Sequence, residues 1–117
     1  MNPTERLRLL KNSGVITQEV ENILQLLLVW LSDRGIPIDG ENGQMFITHL
    51  AMAVQRARSC EAVEGLPEEI LRQVEASPHY PLARQFMSFM DSLGVNLPDS
   101  EKGYVMAHIC SLLEELH

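Results

Sequence analysis

The stretch from Glu41 to Arg58 constrains the fold most, because its apolar residues recur at the spacing of one helix face. Those residues are Phe46, Leu50, Ala53, Val54 and Ala57. The spacing predicts one amphipathic helix over 41–58, and we expect the helix to continue to about residue 62. His49 lies among these positions, and Arg56 follows seven residues later, only about 20° away around the helix. On this helix alone, a histidine packed in the core is the simpler interpretation, and a functional imidazole is the alternative.

The rest of the chain shows helical periodicity too, and no segment alternates for long enough to predict a strand. Asn2 before Pro3 and Thr17 before a long apolar pattern are typical helix starts. The second helix has a wide apolar face, made by Val20, Ile23, Leu24, Leu27, Leu28, Trp30 and Leu31. Further helices are expected after Pro67, over 82–93 up to a stop at Gly94, and after a cap at Asp99 or Ser100.

The connections between these helices are short, which favours antiparallel packing of neighbours. The expected fold is all-α, a compact bundle of about five main helices. Residues 1–14 are expected to form a short N-terminal helix or extension, and residues 15–117 the helical domain.

Composition excludes several classes of function. The net charge is −7 over 117 residues, which disfavours direct nucleic-acid binding because phosphate backbones are held by Lys and Arg. The longest apolar run, Ile23 to Leu31, is too short to span a bilayer. Cys60 and Cys110 form no CxxC pair and follow no signal peptide, so a cytoplasmic protein with buried thiols and no disulfide is expected.

His108 is the second histidine placed in the middle of a predicted helix, with Tyr104 one turn and Glu101 two turns before it. Neither His49 nor His108 has a Glu three residues before it, as bundle di-iron sites require. The Glu114-x-x-His117 match is terminal and lacks a partner motif. Because HExxH, GxSxG and glycine-rich phosphate loops are also missing from the sequence, we expect no metal, no cofactor and no enzymatic turnover.

Phosphoryl acceptance suits two histidines on a helical scaffold better than catalysis does. A neutral imidazole has an ordinary pKa near 6.5, and its free nitrogen is nucleophilic at physiological pH. Phosphoryl transfer mainly demands positioning and charge balance, part of which a partner protein can supply. The added charge can then order or repel a contact, as a switch does.

Two segments resemble the histidine motifs of the phosphotransferase-system regulation domain, or PRD: MFITHLAMAVQR (45–56) and DSEKGYVMAHIC (99–110). The resemblance implies phosphorylation of His49 and His108 by the phosphocarrier HPr or an EIIB component, with Arg56, Glu101 and Tyr104 as supporting residues. It also implies that phosphorylation changes dimerisation and thereby controls a transcriptional antiterminator or activator. Whether Arg56 contacts the phosphate or is anchored to a carboxylate on another helix is left open.

The chain departs from the family's usual arrangement, in which two such domains follow an RNA-binding or helix-turn-helix segment. A single stand-alone copy is expected here, acting through a homodimer or partner contact. The alternative is a helical interaction module that keeps the fold without being phosphorylated, and exposure of the histidines distinguishes the two. The methionines are expected to fill the core rather than line a partner groove: Met52, Met87, Met90 and Met106.

Overall fold

Helix boundaries follow local chemistry at several of the predicted positions. The computed structural model describes residues 2–58 and 67–114. The Asn2 side chain accepts a hydrogen bond from the Glu5 backbone N–H at 2.8 Å, and the Thr17 hydroxyl accepts one from Val20 at 3.2 Å. Both predicted caps are thereby confirmed.

The described residues form helices and no strands, so the all-α prediction is confirmed. They make six helices, one more than the five main ones expected, because the short first segment is itself a helix. In chain order these are α1 (Pro3–Asn12), α2 (Gln18–Asp33), α3 (Glu41–Arg58), α4 (Glu68–Ala76), α5 (Tyr80–Ser92) and α6 (Asp99–Glu114). None of the described helices is both long and apolar enough to cross a membrane.

Two predicted helix starts were wrong by one or two residues. Helix α5 begins at Tyr80 rather than after Pro81, because a proline in the first turn needs no N–H partner there. At α6 the carbonyl of Pro98 accepts from the N–H groups of Glu101 and Lys102, so the helix already includes Asp99. The predicted extension of α3 beyond Arg58 to about residue 62 falls outside the described residues.

The apolar face predicted for α2 forms the centre of the core, since all seven of its residues are buried. Trp30 packs against the rings of Phe86 and Phe89, with centroids 5.4 Å and 5.9 Å away. Helix α1 packs on α2 and α3 through the fully buried Leu7. These contacts leave α3 with one side against the core and another facing α6.

Gly43 allows the close approach that fixes the start of α3. A Cβ at this position would lie 2.5 Å from the Cα of Ile38 and 2.6 Å from the carbonyl oxygen of Pro37. Both are backbone atoms, which cannot move aside as a side chain can. The absence of a side chain therefore sets how the loop before α3 packs on its first turn, six residues before His49.

Candidate functional site

Two cross-helix pairs connect α3 to α6. His49 lies beside His108, and Arg56 binds Glu101. On each helix, the two paired residues are seven positions apart, which corresponds to about 10.5 Å of helical rise. Because the higher number on α3 is paired with the lower number on α6, the two helices run antiparallel here.

A cleft of about 580 Å³ lies between these helices. Both pairs line it, so all five residues named from the sequence as site residues lie together. The lining consists of Phe46, His49, Leu50, Met52, Ala53, Arg56, Glu101, Tyr104, Val105 and His108. A concave apolar surface with a few convergent polar groups is typical of a binding site.

His49 is exposed at this cleft, so the interpretation of it as a core histidine is wrong. Its ring centroid lies 5.4 Å from that of His108, with the ring planes at 68°. His108 is half-buried and also packs against the ring of Phe46, at 5.7 Å between centroids. The pair therefore combines one solvent-facing imidazole with one set against the cleft wall.

Burial lowers the pKa of His108 below its ordinary value of 6.5, and the charge of a protonated His49 lowers it further. The His108 imidazole is consequently neutral at physiological pH. A neutral imidazole has one nitrogen with a free electron pair, which is the form needed for attack on phosphorus.

Arg56 and Glu101 make a two-point ion pair across the helices. Nε of Arg56 donates to Oε1 of Glu101 at 3.1 Å, and Nη2 donates to Oε2 at 3.2 Å. The Glu101 side chain is only 4% exposed, whereas that of Arg56 is 29% exposed. Of the two possibilities for Arg56, anchoring to a carboxylate on another helix is the one observed, and the anchored guanidinium still borders the cleft.

Met52 and Tyr104 are exposed at the cleft, on α3 and α6 respectively. Core filling was therefore the wrong prediction for Met52, although Met87 and Met90 are buried and Met106 is partly buried. Helical periodicity places Met52 near the apolar stripe of α3, yet its side chain is exposed at the cleft.

The remaining histidines and cysteines lie elsewhere or outside the described residues. His79 is at the start of α5 and does not line the cleft. Cys110 is buried as a free thiol, and its burial raises its pKa. Cys60 and His117 lie outside the described residues, and so does the test of the Glu114–His117 motif. Within 2–58 and 67–114, no three His, Cys, Asp or Glu residues are grouped as metal ligands.

Comparison with known proteins identifies the family. The sequence-family model of the PRD domain matches residues 19–112 of this chain, and these residues include both histidine motifs. The chain belongs to the PRD domain family. This is a family of regulatory domains rather than of catalysts.

One relative of this PRD domain is the uncharacterized protein YhfY of Escherichia coli strain K12. The two are 29% identical over 109 residues, which cover 92% of this chain and 91% of the relative. No solved structure matches the chain. Both histidine motifs therefore lie inside the matched family region. The geometry of the two histidines is described from the structure of this chain.

Sequence reasoning missed the apolar part of the cleft. Phe46 was assigned to the core, yet its ring also supports His108, and Leu50 and Val105 line the same surface. The signal was present in the spacing, since Phe46, His49, Leu50 and Ala53 share one stripe of α3. The spacing does not show which helix packs opposite this stripe.

Proposed function

We propose that this PRD domain is a phosphoacceptor of the bacterial phosphotransferase system, acting in the cytoplasm. HPr or an EIIB component donates a phosphoryl group to His49 or His108. The added charge changes a dimer or partner contact, and through that contact the domain controls transcription or the activity of a partner protein. The observation that carries this proposal is the pairing of two imidazoles, one exposed and one half-buried, in an open cleft.

The chemistry of the pair supports acceptance of a phosphoryl group. The exposed ring of His49 is reachable by a histidine or cysteine presented on the surface of a donor protein. Neither imidazole makes a hydrogen bond to another described residue, so no such bond has to break first. His108 is held neutral by burial, which keeps a nucleophilic nitrogen available at pH 7.

The surroundings of the pair support a switch rather than a catalytic cycle. A phosphohistidine brings roughly two negative charges into a protein whose net charge is already −7. Exposed apolar side chains border the same cleft, at Met52 and Tyr104. A charge that appears beside an apolar contact surface weakens or reorients whatever binds there.

The test is phosphoryl transfer from phosphoenolpyruvate through purified Enzyme I and HPr, with and without candidate EIIB proteins. Wild type is compared with His49→Gln, His108→Gln and the double variant, and His79→Gln is the matched control because it removes a histidine away from the cleft. We expect acid-labile label on wild type and on the control, and none on the double variant. An unlabelled wild type, in an assay that labels a known acceptor, would overturn the proposal.

The second candidate is an interaction module that is not phosphorylated. The exposure of Met52 and Tyr104 at the cleft supports this candidate, because an interaction module needs an exposed partner surface. Phosphorylation is not needed for such a contact. This candidate predicts the same thermal stability and partner binding with or without the phosphotransferase donors. An effect of His49→Gln on partner binding only in the presence of those donors would exclude it.

A further inference from the structure

His49 and His108 are 59 residues apart in the sequence and are expected there as two separate phosphorylation sites. In the structure, both lie in one cleft. Their ring centroids are 5.4 Å apart, and both imidazoles border the same space of about 580 Å³. A phosphoryl group on either ring therefore occupies volume beside the other ring. This proximity bears on how many phosphoryl groups the domain holds at once.

Resting on the proposed function, we infer that His49 and His108 act as one acceptor, which carries a single phosphoryl group at a time. Either imidazole can take the group from the donor, and occupation of one prevents transfer to the other. The domain then has two modified states, each with one phosphoryl group, rather than three.

Electrostatic repulsion is the first reason. Each phosphoryl group carries about −1.5 to −2 charges at pH 7. On rings whose centroids are 5.4 Å apart, the two groups lie within the Debye length of about 10 Å at 0.1 M salt. The apolar wall of Phe46, Leu50 and Val105 reduces screening on one side. Together these effects disfavour a second transfer about tenfold or more.

The lack of a free counter-charge is the second reason. Arg56 is the only Lys or Arg among the residues that line the cleft in the described chain. Its guanidinium is already engaged by the buried Glu101 carboxylate. If Arg56 turned to a phosphoryl group, Glu101 would be left as a buried negative charge beside the new one. One cation cannot balance Glu101 and two phosphoryl groups.

The transfer itself balances at either ring. The free electron pair of a neutral imidazole nitrogen forms the N–P bond, and the bond from phosphorus to the donor's nitrogen or sulfur breaks. The donor keeps that electron pair. The proton on the second nitrogen of the acceptor ring stays or passes to water according to pH. Transfer back to the donor is the reverse of these steps.

The experiment is intact-mass spectrometry at neutral pH after incubation with an excess of phosphorylated donor, followed to a plateau. We expect one phosphoryl group per chain on wild type, His49→Gln, His108→Gln and His79→Gln, and none on the double variant. The doubly modified wild-type species should be below about a tenth of the singly modified one, by the repulsion given above. Circular dichroism checks that each variant is folded.

The other outcomes are distinct. Two groups on wild type and one on each single variant would show independent sites, which overturns the inference and leaves the proposed function intact. Complete loss in only one single variant would show that one histidine alone accepts, which also overturns it. No label on wild type would overturn the proposed function itself, and so would label that survives in the double variant.

Discussion

The carboxylate of Glu101 is buried on α6 and bound at two points by the guanidinium of Arg56 on α3. This ion pair lies two helical turns from the paired imidazoles of His49 and His108. It therefore fixes how α3 and α6 sit across the cleft at one end, while the other end stays open for chemistry. The predictions below follow from this arrangement and from the packing that supports it.

The Arg56–Glu101 pair should contribute to stability far more than a surface ion pair. Arg56→Met leaves a buried carboxylate without its cation, and we expect a loss of about 2–3 kcal/mol in the free energy of unfolding. The double variant with Glu101→Gln should lose less than the sum of the single losses, by about 1 kcal/mol or more. Urea denaturation at pH 7 measures all three.

The control for this cycle is the ion pair between Arg72 and Glu68, whose side chains are 71% and 79% exposed. Arg72→Met should change the free energy of unfolding by no more than about 0.5 kcal/mol. Equal losses for Arg56→Met and Arg72→Met would contradict a special role for the cleft pair.

The lowered pKa of His108 predicts a loss of stability in mild acid. Burial and then the charge of His49 hold the folded-state pKa below the unfolded value of 6.5. Between these two pKa values the unfolded chain binds more protons, so stability is present above pH 6.5 and declines as the pH falls through the folded pKa. His108→Gln should weaken this decline, as measured by unfolding at pH 7.5, 6.5 and 5.5.

Titration of the imidazole protons by NMR gives the direct check on that pH dependence. The His108 resonance should titrate below pH 6.5, and His49→Gln should move its midpoint upward by removing the charged neighbour, while the effect of burial remains. A His108 midpoint at or above 6.5 in the wild type would be incompatible with this assignment.

Gly43 should tolerate no side chain. Gly43→Ala places a Cβ against backbone atoms of Pro37 and Ile38, and we expect a net loss of about 1–3 kcal/mol despite the better helix propensity of Ala. Gly40→Ala is the matched control, because a Cβ there meets nothing within 4 Å; it should change stability by less than about 1 kcal/mol. Thermal unfolding of both variants tests the contrast.

Met52 should take part in contact with the phosphoryl donor. Met52→Ser removes an exposed apolar side chain from the cleft, so stability should hardly change while the initial rate of phosphorylation falls several-fold, up to about tenfold. Leu26→Ser is the control, since Leu26 is 51% exposed on α2 and does not line the cleft. A similar decrease in both variants would indicate a general effect rather than a docking contact.

Much of the local structure follows from the amino-acid sequence alone. The caps at Asn2 and Thr17, the start of α3 and the buried face of α2 all follow from side-chain chemistry within a few residues of chain. Such interactions recur in many folds, and a pattern of residues suffices to predict them. The two histidine motifs were identified instead by their resemblance to a known family, and the family match covers both.

Which helices pack against each other is a property of the tertiary fold. Periodicity places His49 and Arg56 on one stripe of α3, but it contains no information about which helix lies opposite or in which direction that helix runs. The antiparallel packing of α6 pairs His49 with His108 and Arg56 with Glu101. It also leaves Met52 exposed at an open cleft. Pairings between distant segments depend on how all six described helices fill the core together, and that is a property of the whole fold rather than of any stretch of sequence.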